Sequence, residues 1–382
     1  WNRDTSTSYD YDYVPEFNAG DLMQVALDMD SGKIWFGREN SWMPDASNNA
    51  SNPALGTYAR YSNLISVSSG SVTPICSNSG GTPDWVLNFG QDSSFAGNKT
   101  AQGNGGDGED FYYTPPAGFV SLCSENLPSP SIALPTDHFT PVAYSGDGVQ
   151  GRVVTSGFPT DFVIIKNRNT TDDNVVFDSL RGGTKYLYTN QSAAETVYAS
   201  QDVTFTSTGI TVGSYQSINQ TGGVPIISWN WKAGGAPTTD NLVAAGGTPT
   251  AGSVKIDGAN LGSALAGTIA ATRLSASTTN GFSAVKYVGT GSAATIAHGL
   301  SQAPELVIVK NLDDGAESWV VSVGNATGTA SEYLVLNSNI ASQTDTSQFP
   351  SAPGSSVVSI GATANVNVST EDFIAYCFHS VE

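Results

Sequence analysis

Trp229 and Trp231 flank Asn230 in a strand-like run, and in a strand both side chains point to one face. Such a pair can stack on a sugar ring, which makes these two the candidate glycan-binding residues. The competing reading places them in the core of their own module. Asp107, Glu109 and Asp110 crowd a flexible, oxygen-rich stretch and are the candidate cation ligands, with a solvated surface loop as the alternative. Asp28-x-Asp30-x-Gly32 matches the start of a calcium loop, and Glu39 falls at its twelfth position. The intervening Ile34-Trp35-Phe36 reads as a strand, so a hairpin turn is the better reading.

His138, His298 and His379 are too scattered to suggest a metal trio or a nucleophile–base triad, and read as polar surface or turn residues. Carboxylate pairs of the glycosidase kind need no local motif, and no local pattern favours one. The glycines of residues 103–108 lack the strand–loop–helix context of a phosphate cradle. Of the three cysteines, Cys377 sits in an apolar run and reads as a buried small hydrophobe, while Cys76 and Cys123 could pair within one domain. No catalytic residue and no cofactor is expected.

Charged residues are 13% of the chain, about half the usual ~25%. Gly, Ser, Thr and Asn fill the deficit, as in extracellular β proteins. Aromatics at 10% and repeated Val/Ile runs argue against disorder. With 34 acidic and 15 basic residues the net charge is −19, and no basic run occurs. That disfavours nucleic acid and anionic bilayers as partners. No stretch has the length and apolarity of a membrane-spanning helix. The chain starts at Trp1, and is read as a processed or truncated form of something longer.

The elements that must position these residues occur twice. Phe139-Thr-Pro-Val-Ala-Tyr144 returns as Phe282-Ser-Ala-Val-Lys-Tyr287. Phe162-Val-Ile-Ile-Lys166-Asn167 returns as Leu306-Val-Ile-Val-Lys310-Asn311, Tyr186-Leu187 as Tyr333-Leu334, and Asn219 as Asn367. The offset drifts upward from 143 to 148, as it does in a duplicated fold with small loop insertions. At the final offset Trp229 and Trp231 correspond to Cys377 and His379, so an aromatic platform would not be shared by both copies.

Residues 22–28 and 33–37 flank an Asp/Ser/Gly turn and predict a hairpin. Residues 85–89 alternate apolar and polar. Residues 162–165 and 306–309 are continuous apolar runs, which predict central strands buried on both faces. Residues 97–110 predict a long surface loop. Residues 236–279 predict an extended connector; Gly262 and Gly267 interrupt its one helix-like stretch, 259–274. Its apolar residues are mostly Ala, so it needs buried area from neighbours, and a contact with another subunit is expected.

Residues 20–36 resemble the central hairpin of SPRY domains, which are concanavalin-like sandwiches. Residues 87–91 and 113–119 resemble that domain's closing strands. Asp161-Phe-Val-Ile-Ile-Lys166, Leu180-Arg-Gly-Gly-Thr-Lys-Tyr-Leu187, Trp229-Asn-Trp-Lys-Ala-Gly-Gly235, His298-Gly-Leu-x-x-Ala-Pro304 and residues 373–382 resemble modules of tail-fibre and other structural proteins of marine bacteriophages. About 19 residues precede the hairpin, fewer than a complete SPRY domain has there.

The sequence therefore predicts an all-β, multidomain chain: a SPRY-like sandwich at 1–133, one β-module at 134–235, a connector at 236–279 and a second module at 280–382. The resemblance implies a virion structural protein, a tail or head fibre on the particle surface. It implies a homo-oligomer, with a trimer expected, touching other virion proteins and a host cell-surface glycan. A glycan- or receptor-binding adhesin is the alternative, and a polysaccharide depolymerase a third reading.

Overall fold

A computed structural model describes residues 18–62, 64, 85–106, 108–123, 126, 130, 132–198 and 202–381. The chain is an all-β, multidomain sandwich protein. It divides between residues 129 and 130 into two compact units.

The first unit contains a three-stranded antiparallel meander, β1 (Met23–Asp28), β2 (Lys33–Arg38) and β3 (Ser41–Trp42). The predicted hairpin is present, with Asp28 opposite Lys33. Asp28 serves the turn: its Oδ1 accepts from the Asp30 and Ser31 amides at 3.0 and 3.1 Å, and its Oδ2 from the Ser31 hydroxyl at 2.5 Å. Gly32 supplies the left-handed residue, φ 65°. Trp35 is buried, meets Phe119 edge-on at 5.9 Å and donates its indole N–H to the Thr57 carbonyl at 2.9 Å. The expected strands at 87–91 and 113–119 are loop and turn instead. Asn88 explains the first: its Oδ1 accepts from the amides of Gly90, Gln91 and Asp92, and its Nδ2 donates to the Asp110 carbonyl. Such local side-chain bonds replace a strand ladder.

In the second unit the first repeat copy runs β4 (Phe139–Ser145), β5 (Arg152–Thr155), β6 (Phe162–Asn167), β7 (Val175–Asp178), β8 (Lys185–Tyr188), β9 (Thr196–Val197), β10 (Val203–Thr206), β11 (Gly209–Val212) and β12 (Pro225–Trp231). Its large sheet has the order β4-β12-β6-β7-β8-β9, and β10-β11-β5 form a small sheet against it. Next come β13 (Val254–Ile256), β14 (Ala259–Asn260) and β15 (Ala271–Ser277). The second copy runs β16 (Phe282–Val288), β17 (Ala294–Ala297), β18 (Leu306–Asn311), β19 (Val320–Ser322), β20 (Glu332–Val335), β21 (Gln343–Thr344), β22 (Val357–Ile360) and β23 (Asp372–Phe378). Its large sheet contains β16-β23-β18-β19-β20-β21, the order of the first copy strand for strand, and β17 pairs with β22 beside it.

Register confirms the duplication residue by residue. Lys166 lies opposite Ile227 and Lys310 opposite Ile374; Leu187 opposite Val176 and Leu334 opposite Val321. The polar fittings repeat as well. Tyr144 donates to the Ile218 carbonyl and Tyr287 to that of Val366. Asn219 accepts from the Asp147 amide and donates to the Gly213 carbonyl; Asn367 accepts from the Thr290 amide and donates to the Gly361 carbonyl.

The segment between the copies is not an extended connector. β13 and β15 extend the second copy's large sheet, and β15 forms a hairpin with β16 through a turn at Asn280-Gly281, where Gly281 has φ 68°. The helix-like stretch 259–274 holds β14 and the start of β15. Val254, Ile269, Ala271, Leu274 and Ala276 are buried in the second copy's core. The buried area this Ala-rich segment needed comes from a repeat copy of its own chain.

Each large sheet has two covered faces. One side of the first copy's sheet packs on its small sheet around Val163, Ile165, Phe177 and Ile226. The second copy does the same around Val285, Val307, Val309 and Phe373. The opposite faces pack on each other through Phe162, Val176, Leu187, Phe282, Trp319 and Tyr376. The result is four β layers with a third core between the copies. It explains why the runs at 162–165 and 306–309 are apolar without alternation.

Candidate functional site

Titratable side chains gather at the seam between the copies. Asp178 ends β7, and the following turn carries Arg181. The Arg181 Nε meets Asp178 Oδ2 at 2.5 Å, and both side chains are fully buried. Arg181 Nη1 reaches Glu195 Oε2 at 3.3 Å, whose other oxygen binds Lys185 Nζ at 2.6 Å. From the second copy, the Tyr376 hydroxyl donates to Asp178 Oδ2 at 2.6 Å. Asp178 Oδ1 accepts from the amides of Leu180 and Arg181 at 3.0 and 2.9 Å. More bonds cross the seam: Trp319 Nε1 donates to the Tyr188 and Gln191 carbonyls, Arg273 Nη1 to the Leu180 carbonyl, and the Glu195 amide to the Leu312 carbonyl.

Burial works against the Arg181 charge, yet Asp178, Tyr376 and Glu195 outweigh it and leave the guanidinium more firmly protonated than usual. Burial, joined by the Asp178 charge, pushes the Tyr376 phenol well above its ordinary pKa of 10.0. Nearby, Asp161 is raised by burial although its carboxylate accepts from the Ala233 and Gly235 amides and the Ser179 hydroxyl. Asp178 accepts bonds on both oxygens from four donor groups. A carboxylate so occupied clamps structure together and has no free lone pair for proton transfer.

The sequence candidates lie elsewhere and apart. Trp231 sits at the rim of the seam, half-buried, its ring 4.7 Å from Phe139 and 5.1 Å from Phe162. Trp229 is half-buried on the same face of β12, as alternation required. Their counterparts need correcting. Trp231 pairs with Phe162 and Phe378 with Leu306, so Trp231 matches Phe378 and Trp229 matches Tyr376. Both copies carry aromatics at these positions, because one residue is lost between Asn367 and β23.

Glu109 is a loop staple. Its Oε2 accepts from the Gly106 amide, and its Oε1 from the Ser121 amide and Asn126 Nδ2. These bonds, the backbone ones above all, hold its carboxyl down at about 2. The Asp110 backbone closes the same loop, its amide donating to the Gly90 carbonyl at 2.8 Å. Asp107 lies outside the described residues, as does Cys76 and with it any pairing to Cys123. Among the described residues no group of three or more His, Cys, Asp or Glu side chains is placed to hold a metal.

His138 is half-buried at the head of β4. His298 and His379 are buried, which corrects the surface part of the expectation of polar surface or turn residues. His298 Nδ1 accepts from the Leu300 amide, its Nε2 faces the Gly354 carbonyl, and burial lowers its pKa. Cys377 is buried in β23, where burial pushes its thiol up to about 12.

Sequence reasoning missed Asp178, Arg181 and Tyr376 as a group. The one available signal was Arg181 within the Leu180-Arg-Gly-Gly turn; nothing local linked it to a tyrosine in a distant strand.

A family model for a domain of unknown function, DUF7483, matches residues 134–382, and the chain belongs to that family. The match spans both repeat copies and the strands between them. No curated protein and no solved structure matches the chain.

Proposed function

We propose that this chain is a structural component of a virus particle, a tail- or head-fibre appendage that works as a homo-oligomer at the particle surface. The observation that carries the reading is the duplicated module joined back to back across an aromatic core with a buried Asp178–Arg181–Tyr376 clamp. A clamp of this kind gives a structural element a fixed shape, and its polar groups are consumed in doing so. The motifs that resemble bacteriophage fibre modules support a placement on a particle, by analogy of sequence. The depolymerase reading asks for convergent carboxylates in a cleft. One concavity of about 250 Å³, beside β10 and β11, carries a single carboxylate, Asp202, which is hydrogen-bonded to Gln150.

The test is mass spectrometry of purified particles of the virus that encodes the chain, with light scattering on the isolated protein. The proposal expects the chain in intact particles at fixed stoichiometry and an oligomer, a trimer by expectation, in solution. Absence from particles would overturn it. So would turnover of host polysaccharide that a single carboxylate substitution abolishes.

A further inference from the structure

The two copies share a strand order, so each is a control for the other: what one copy has and the other lacks is not required by the fold. One such difference is a group of tyrosines at one corner of the first copy. Tyr186 and Tyr188 project from β8 on the side of the small sheet, their rings 5.2 Å apart and edge-on. Tyr198 follows β9, and Tyr215 precedes the short helix at Gln216–Asn219; their rings also meet edge-on at 5.2 Å. Tyr198 is 49% exposed, and Tyr188 and Tyr215 are half-buried. The phenols feel one another and the carboxylates of Asp172 and Asp173, which raise Tyr215 after burial does. Among the described residues the Tyr198 and Tyr215 hydroxyls make no hydrogen bond.

Register gives the second copy's residues at these places. Tyr186 matches Tyr333, but Tyr188 matches Val335 and Tyr198 matches Asp345. The recurrence of Asn219 as Asn367 places Thr363 at Tyr215 and, through the shared lysine–carbonyl contacts, Glu317 at Asp172. There the corner is closed on itself: Asp345 Oδ1 accepts from the Ser347 amide, and the Thr363 hydroxyl donates to Gln348. The second copy therefore folds without three of the four tyrosines.

We infer that the Tyr186–Tyr188–Tyr198–Tyr215 cluster, with Asp172 and Asp173 at its edge, is a binding site for a neutral saccharide. The exposed Tyr198 ring, set edge to face on Tyr215, gives an apolar surface for the C–H face of a pyranose, at low entropic cost because a tyrosine has few rotatable bonds. The Tyr198 and Tyr215 hydroxyls can accept and donate at the sugar's hydroxyl edge, and Asp172 and Asp173, which already accept from Asn167 and Asn190, keep further lone pairs to accept there. The two carboxylates, in a chain of net charge −19, repel anionic sugars, which selects neutral ones. The inference stands on the cluster itself and not on the particle assignment.

The test is saturation-transfer NMR of the full chain with neutral glucan, galactan and mannan oligosaccharides, and with a sialylated oligosaccharide and choline as contrasts. The expected result is transfer to a neutral oligosaccharide alone. The triple variant Tyr188→Val, Tyr198→Asp, Tyr215→Thr writes the second copy's residues into the first and should lose affinity by about tenfold or more with melting little changed. Tyr198→Ala, at an exposed position, decides the matter if the triple variant does not fold. The inference is overturned if no neutral oligosaccharide binds, if choline or the sialylated sugar binds instead, or if Tyr198→Ala binds as the parent does. Particle proteomics is unaffected by any of these results.

Discussion

Arg181→Met should be among the most damaging single changes in the molecule. The substitution keeps an unbranched apolar stem of similar reach and removes the charge. Asp178 then keeps two backbone amides and the Tyr376 hydroxyl but no cation, with its side chain fully buried. Removing one member of a buried ion pair costs about 3–5 kcal/mol. For a body of this size that is about 6–20 °C in melting temperature. Tyr376→Phe deletes one hydrogen bond to a charged acceptor and should cost about 1.5–3 kcal/mol. The double variant Arg181→Met, Asp178→Asn removes both charges together and should cost less than the sum of the two single changes. Urea and thermal unfolding followed by circular dichroism give all four values. A loss below about 1 kcal/mol for Arg181→Met would place the pair in solvent, and the clamp argument would fail with it.

Three further outcomes follow from particular positions. Val163→Asp puts an unpaired charge at a fully buried site and should unfold the joined pair of copies, whereas Val153→Asp, at a 62% exposed site, should stay within about 0.5 kcal/mol of the parent. Asn219→Ala and Asn367→Ala remove equivalent buried fittings and should cost about 1–3 kcal/mol for each partner left unsatisfied, with similar totals; a near-neutral result at either site would show that the copies are not held alike. Burial depresses the folded-state pKa of His298, so the unfolded chain takes up the proton first. Stability from this residue is complete above the ordinary value of 6.5 and is lost as pH falls below it, with a slope of up to about 1.4 kcal/mol per pH unit. His298→Asn should flatten that part of a stability–pH curve, and an unchanged slope would assign it to other groups.

The sequence disclosed the duplication because the recurring residues each have a fixed job. Asn219 and Asn367 tie equivalent carbonyls, Tyr144 and Tyr287 donate to the carbonyl just before each of those asparagines, and apolar runs mark strands covered on both faces. The join between copies was hidden, since Asp178, Arg181 and Tyr376 are brought together only by packing and carry no shared spacing. β13 to β15 were hidden for another reason. Ala and Gly have weak strand signals, and the segment's burial is supplied by a neighbouring sheet. In the first unit, residues 85–89 have a strand's alternation, but Asn88 bonds its own neighbours and bends the chain. The Trp229 counterpart was misassigned because a single-residue deletion shifts every side chain of a strand to the other face.

The central claim is that the two copies form one mechanical body. Native-state hydrogen exchange on the full chain tests it most directly, by comparing the amides of Val163 and Ile165 in β6 with those of Val307 and Val309 in β18. All four are fully buried, in strands that share the core between the copies. The account predicts one opening free energy for both strands, lowered by the same amount in Arg181→Met. Independent opening of β6 and β18, or a loss confined to one copy in that variant, would contradict it.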